Sequence, residues 1–206
     1  MDENESDESL MLRYRDGDAA AFDTLYARHR GALYRFIRRS IGANGQGDEI
    51  FQDVWLNLIQ ARTRYVASAK FSTWLYTLAH HRLIDHFRAT SRAEFASFAE
   101  DDDNPVIQLP AARTEEPEVR VLARQQGERL ASAVAALPAV QRETLLLRLD
   151  GDLSVEQIAA ATGASFETAK SRLRYALAKV RGALSEFAPD AQSPVIARPA
   201  SVGEES

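Results

Sequence analysis

Between residues 165 and 181 the chain places five cations, Lys170, Arg172, Arg174, Lys179 and Arg181, against one acid, Glu167. Such a run has no nucleophile to activate; its chemistry is the recognition of anions. Guanidinium groups pair with phosphate oxygens and with the two acceptors on a guanine edge. Thr168 and Ser171 add hydroxyls to the same stretch. The residues ahead of it fix its geometry. Ser154 and Gln157 have the spacing of a capping box, in which each side chain satisfies an orphan backbone donor. Val155, Ile158, Ala159 and Thr162 continue as a helical stripe. Gly163 stands where that helix must stop, and Ser165 offers a second N-cap. The helix that follows is expected to bury Phe166, Ala169, Leu173, Ala176, Leu177 and Val180. Thr168, Lys170, Ser171, Arg174 and Ala178 then point outward. Two short helices joined by a tight turn, the second basic, match the helix-turn-helix geometry for major-groove reading. A small bundle with a solvated basic face is the plainer alternative. The clustering of cations favours DNA contact, because phosphate neutralisation needs such a face.

The wider composition limits what else the chain can be. Its 206 residues suit one or two domains. It has no cysteine, which excludes disulfides and thiolate metal sites and fits a reducing cytoplasm. No apolar run approaches the roughly 20 residues needed to span a bilayer, and the acidic start is unlike a signal peptide. The net charge of −5 is unequally distributed. Residues 10–95 carry thirteen basic against eight acidic side chains, and 119–187 carry ten against seven. Residues 1–9, 96–118 and 188–206 are all net acidic. Two mildly basic blocks are therefore flanked and separated by acidic stretches expected to be disordered.

The elements within the first block are helical. Phe22, Leu25, Tyr26, His29, Leu33, Phe36 and Ile37 predict an amphipathic helix over 19–39. After a glycine-rich break at 41–47, Asp48 is expected to cap a helix with Ile50, Phe51, Val54, Trp55, Leu58 and Ile59 on one side. Its other side shows Glu49, Gln52, Asp53, Leu56 and Asn57. A loop near 62–70 leads to a third helix over 71–88. That helix and loop bring Tyr65, Phe71, Trp74 and Tyr76 together with Lys70, Arg82 and Arg88. Aromatic faces interleaved with cations are what single-stranded DNA binding requires. On composition alone a core role is preferred for Phe71 and Leu75, with Trp74 half-buried. No stretch shows strand alternation, so the fold class is all-α: two small helical domains joined by a flexible acidic linker, the second a helix-turn-helix domain.

Four pieces together, DEIFQDVWLNL (48–58), FSTWLYTLAHHRLIDHFR (71–88), LPAVQRETLLLR (137–148) and LSVEQIAAATGASFETAKSRLRYALAKVR (153–181), resemble the sigma-70 family, specifically its small extracytoplasmic-function type. They stand in family order at family spacing, across roughly residues 10–185. The resemblance implies an acidic disordered N-terminus (1–9), a region 2-like domain (10–95), an acidic linker (96–118), a region 4-like domain (119–187) and a disordered tail (188–206). It implies cytoplasmic core RNA polymerase as partner, held at the clamp of its largest subunit and the flap of the second largest. Promoter DNA would be bound as duplex at −35 and as single strand at −10, with no membrane contact by the chain itself. An anti-sigma factor is a further partner that the family leads one to expect.

The resemblance also distributes roles. Glu49, Gln52, Asp53, Leu56 and Asn57 fall on the helix that docks on the polymerase clamp. The 62–72 loop is similar to the segment that receives a base flipped from the non-template strand. Base stacking or capture is accordingly expected of Tyr65, Phe71, Trp74 and Tyr76, with Lys70 and Arg88 on phosphates; for Trp74 the resemblance reverses the preference for a core role. Where the family often has Ala-Arg-Asn, this chain has Ala79, His80 and His81, which puts the usual contacts at those two positions in doubt. Histidine there makes a pH-sensitive contact conceivable. A metal site from His81, Asp85 and His86 lacks a completing ligand. The linker is expected to thread the polymerase toward the RNA exit channel, or to be a plain solvated tether.

In the second domain, Lys170, Ser171 and Arg172 match the family pattern directly. Arg174 and Ser171 are expected at base edges, and Thr168, Lys170, Arg172 and Lys179 at phosphates. Glu167 either accepts from a cytosine amino group or complements the helix dipole, the second being preferred. No catalytic group and no cofactor or metal site is expected: the chain shows no nucleophile-base pairing, phosphate loop or metal constellation. The expected function is a sigma factor that directs promoter-specific initiation. The alternative is an autonomous helix-turn-helix regulator that binds an operator without polymerase.

Overall fold

The computed structural model of the chain describes residues 5–42, 46–96 and 117–185, with side chains omitted for 91–96 and 117–124. The expectations for 188–206 and for nearly all of the linker lie outside these residues. Eight α-helices are present among them, with no strand. In order these are α1 (Asp7–Arg15), α2 (Ala19–Ile41), α3 (Gly47–Ala61), α4 (Phe71–Ala96), α5 (Pro117–Ala135), α6 (Ala139–Leu149), α7 (Val155–Thr162) and α8 (Phe166–Ser185). A single 3-10 turn, Arg62–Arg64, follows α3.

Asp7, Glu8 and Ser9 of the acidic N-terminus are helical, against the expectation of disorder over 1–9. Ser6 caps α1 by accepting from the Ser9 N–H, and Leu10 and Met11 are buried. Its acids meet specific partners. Asp7 binds Arg28 and His29 of α2, at 2.8 and 2.7 Å. Glu8 accepts from the Phe71 N–H at 2.7 Å, so an acid of α1 satisfies an orphan donor where α4 begins. High net charge argued against folding; cations and a helix N-terminus facing these acids offset it.

α2 starts at Asp18, whose side chain accepts from the Ala20 N–H, and ends at Gly42, with φ at 75°. Its buried face carries Leu25, Leu33, Phe36 and Ile37. α3 opens without a side-chain cap: Asp48 lies inside its first turn rather than preceding it. There Asp48 accepts from the Tyr34 hydroxyl, which raises that phenol above its ordinary pKa. Ile50, Val54, Trp55 and Leu58 are buried. α4 extends eight residues past the expected end at 88. Phe71, Leu75, Tyr76, Ala79 and Leu83 form its buried face.

Pro117 begins α5, where its missing N–H costs no helical bond. α6 buries Leu145, Leu146 and Leu147. The capping box at α7 is complete: the Ser154 N–H donates to Gln157 Oε1 at 2.7 Å, and the Gln157 N–H to Ser154 Oγ at 3.2 Å. Gly163 takes the left-handed conformation, φ 63° and ψ 19°, which turns the chain into α8. Ser165 Oγ then accepts from the Thr168 N–H at 3.1 Å. The buried side of α8 is Ala169, Ala176 and Val180.

Candidate polymerase and nucleic-acid interfaces

The outer face of α3 is open. Glu49 and Gln52 are exposed, Leu56 is 52% exposed, and Asp53 and Asn57 are half-buried. An exposed leucine ringed by polar groups suits a helix-on-helix contact with a partner. Asp53 is already engaged in an ion pair with Arg82 of α4. That contact binds the two helices together and occupies a cation that the sequence had grouped with the aromatics.

The aromatic cluster at the start of α4 is largely interior. Tyr65, Phe71 and Tyr76 are 3%, 0% and 2% exposed. Buried rings cannot stack on a base without rearrangement, so the expectation of direct stacking from these three is corrected. Tyr65 and Phe71 form a floor instead, while Tyr76 packs edge-on against Phe36. Trp74, half-buried, lies on Tyr65 at a ring separation of 4.9 Å and on Phe71 at 6.1 Å. The Tyr65 hydroxyl has no hydrogen-bond partner. Burial, then the nearby Glu8 and Asp7 charges, push that phenol up to about 12. Lys70 just before α4, and His81 and Arg88 further along it, are exposed, and the loop shows Val66 at 71%. His80 is buried, with Nδ1 sharing a hydrogen bond with Glu143 Oε1 at 2.6 Å.

On α8, Glu167, Lys170, Arg174 and Lys179 are exposed, while Thr168, Ser171 and Arg172 are half-buried. The Ser171 hydroxyl donates to the Thr168 carbonyl at 3.0 Å, leaving its lone pairs outward. The sequence pattern assigned Phe166 and Leu177 to the core; they are 41% and 44% exposed. Alanines at 169 and 176 let the helix approach so closely that the larger neighbours fall on the rim. The consequence concerns the cations. Lys170 Nζ lies 5.7 Å from the Phe166 ring, and the Arg174 guanidinium 5.0 Å from Tyr175, itself 53% exposed. Cation–π contact holds both side chains along the surface. Neither ring was singled out as functional from sequence. An aromatic next to a cation, or four residues before one, on a basic helix was the available signal.

Two family models match the chain: sigma-70 region 2 over residues 25–93 and sigma-70 region 4 over residues 127–180. The ECF RNA polymerase sigma factor RpoE of Cereibacter sphaeroides is 32% identical over 179 residues, spanning 86% of this chain and 94% of that one. The chain is an ECF sigma factor of the sigma-70 family. The sigma factor CarQ of Myxococcus xanthus is 28% identical, covering 86% of this chain and 97% of its own. Two solved structures share the fold. One is CnrH in complex with the cytosolic domain of CnrY, with TM-score 0.63, 22% identity, and coverage of 89% and 100%. The other is the sigma factor RpoE of Bartonella quintana with the anti-sigma factor NepR, with TM-score 0.67, 20% identity, and coverage of 81% and 98%.

In this sigma factor the two matched regions touch. α7 packs along α4, and α6 against α2. Asp150, at the end of α6, is the hub: its carboxylate is 5% exposed and accepts from Arg39 at 3.1 and 3.2 Å and from Arg35 at 3.4 Å. Its carbonyl accepts from the Tyr76 hydroxyl at 3.3 Å. Burial, then the Asp150 charge, pushes the Tyr76 phenol well above its ordinary value. Arg142 of α6 donates to the Ser40 carbonyl at 3.2 Å and to Ala135 and Leu137 carbonyls within its own region. Burial pulls that guanidinium below its usual value. None of this set except Tyr76 and His80 was marked in the sequence, and those two were marked for DNA.

Proposed function

We propose that α3 of this sigma factor docks on the clamp of core RNA polymerase through Glu49, Gln52, Leu56 and Asn57, with Asp53 at its margin. Region 2 then opens the −10 element, with Trp74 as the stacking ring, Lys70 and Arg88 on phosphates, and the 65–70 loop as receptor for an extruded base. Tyr65 and Phe71 hold Trp74 in place. Region 4 reads −35 duplex through α8: Arg174 and Ser171 at base edges, Thr168, Lys170, Arg172 and Lys179 at phosphates, Glu167 at the helix N-terminus. Bidentate arginine at guanine supplies discrimination, while lysine contacts position without specifying. The polymerase supplies the bond-forming chemistry in this reading.

One observation carries it: the fold leaves exposed the α3 polar face and the α8 cationic face, two surfaces of different chemistry on one chain. An operator-binding regulator needs the second and has no use for the first. A protein partner of the anti-sigma type belongs to the same proposal, since the Bartonella RpoE was solved with the anti-sigma factor NepR. So does a cytoplasmic site of action; no described helix is long and apolar enough to cross a membrane.

Assembly with core polymerase followed by run-off transcription tests the reading. The expected result is a new, defined start site that depends on the chain and is lost on Leu56→Arg. Tight, specific operator binding without polymerase, and no change of start sites with it, would overturn it.

A further inference from the structure

We propose that Glu8 of α1 is a positioning residue for strand opening: it anchors the first residue of α4, and so holds the 65–70 loop and Trp74 in the geometry that receives an extruded base. α1 precedes the residues matched to region 2, which begin at 25. This positioning role rests on the −10 function given to region 2 above.

The residue ahead of α4 cannot cap it. Lys70 stands there, its carbonyl accepting from the Trp74 N–H at 3.3 Å. Its ammonium group has no lone pair to offer the orphan amides of the first turn. Glu8 supplies an acceptor from another helix: its Oε1 takes the Phe71 N–H at 2.7 Å, across 63 residues of sequence. An ionised acceptor makes a stronger bond than a neutral one, and a carboxylate suits the positive end of the α4 dipole.

Residues 66–70 are all exposed, so no buried side chain of their own holds them. Their place is set where they begin and end, at the buried rings of Tyr65 and Phe71. α1 reaches both ends. The Arg62 guanidinium, in the turn just before Tyr65, lies 5.5 Å from the Tyr14 ring, and Glu8 holds Phe71. Beneath them Asp7 binds His29 at 2.7 Å, and the His29 ring lies 5.1 Å from that of Phe71. Burial, then the charges of Glu8 and Asp7, raises the Tyr65 phenol, which puts both acids beside that ring as well. Trp74 rests on Tyr65 and Phe71 together. Without the Glu8 bond the first turn of α4 is free to fray, and fraying moves the end of the loop and the support of Trp74 at once. A receptor that must be re-ordered when the strand arrives loses affinity for it.

Two variants separate the bond from the charge. Glu8→Gln keeps an acceptor of the same reach and removes the charge; Glu8→Asp keeps the charge and is one methylene too short. Holoenzymes made with each, and with Glu8→Ala, are measured for affinity to the −10 non-template single strand of a promoter mapped by run-off transcription. The same chains are measured on the −35 duplex and on core polymerase. Glu8→Gln should stay within about threefold of the parent on the single strand. Glu8→Asp and Glu8→Ala should each bind it about tenfold more weakly, the equivalent of one hydrogen bond to a charged group. Affinity for −35 duplex and for core polymerase should not change. In the free chain, hydrogen exchange at the Phe71 amide should be slow in the parent and Glu8→Gln, and faster in the other two. Circular dichroism checks folding; if Glu8→Ala does not fold, the Gln and Asp pair decides. Slow Phe71 exchange in Glu8→Asp overturns the anchor. Faster exchange with undiminished single-strand affinity overturns the positioning role, as do equal losses on single strand, duplex and core. Parent-like binding by Glu8→Asp with weak binding by Glu8→Gln overturns it too, since charge alone would then act. A parent holoenzyme that fails to retain the single strand overturns the −10 function itself, whereas the positioning role fails only through the variants when the parent binds.

Discussion

Phe71 and Trp74 stand one helical turn apart on α4, and burial gives them different work. Phe71 is sealed in the core against Tyr65 and His29, whereas Trp74 keeps one side open. Phe71→Ala should therefore lower unfolding free energy by about 3–5 kcal/mol, read from denaturant melts. Trp74→Ala should leave closed-complex formation intact and impair opening, seen as lost permanganate reactivity of −10 thymines. Normal reactivity in that variant would remove Trp74 from the melting surface. On α8 the relevant residue is Arg174, extended along Tyr175. Arg174→Ala should weaken binding of holoenzyme to −35 duplex by about 1–3 kcal/mol while core polymerase affinity is unchanged. Equal losses in the two assays would place the arginine elsewhere.

At the scale of the element, the stability of α7 depends on its caps, which were legible in the sequence. Ser154→Ala removes the Oγ half of the capping box, leaving the Ser154 N–H to Gln157, and should destabilise region 4 by about 1 kcal/mol, with α3 docking unaffected. α1 carries a pH dependence that composition concealed. The His29 hydrogen bond, and Arg28 beside it, hold the Asp7 carboxyl below its ordinary 3.8. A depressed folded pKa contributes stability that is fully present above the unfolded value and is lost as the pH falls through the folded one. Stability measured below about pH 4 should decline more steeply in the parent than in Asp7→Asn. Parallel profiles would mean that the Asp7 pairs contribute nothing to holding α1. The same sequence region was expected to be disordered because its charge was counted without its partners.

For the whole molecule the decisive feature is that one apolar cluster runs through both regions. Cooperative unfolding follows from shared core, since a unit that loses its neighbour exposes the surface between them. Calorimetry of the parent should show a single transition. Asp150→Asn, which weakens the Arg39 pair without changing shape, should separate it into two. Two transitions already in the parent would mean that the regions unfold independently despite their contact.

The sequence by itself determined α2, α3, α4, α7 and α8, the caps of α7 and α8, the turn at Gly163 and the basic face of α8, because periodicity and capping are local. It also carried the family pattern, through motifs that stand in order along the chain. Only the tertiary structure decided that Tyr65, Phe71 and Tyr76 lie inside, that His80 faces Glu143, and that Asp150 joins two regions. A stripe of apolar residues states which face must be covered and is silent about what covers it. Arg39 and Asp150 are 111 residues apart; no local pattern encodes their pairing, which exists only once both helices have found the same surface.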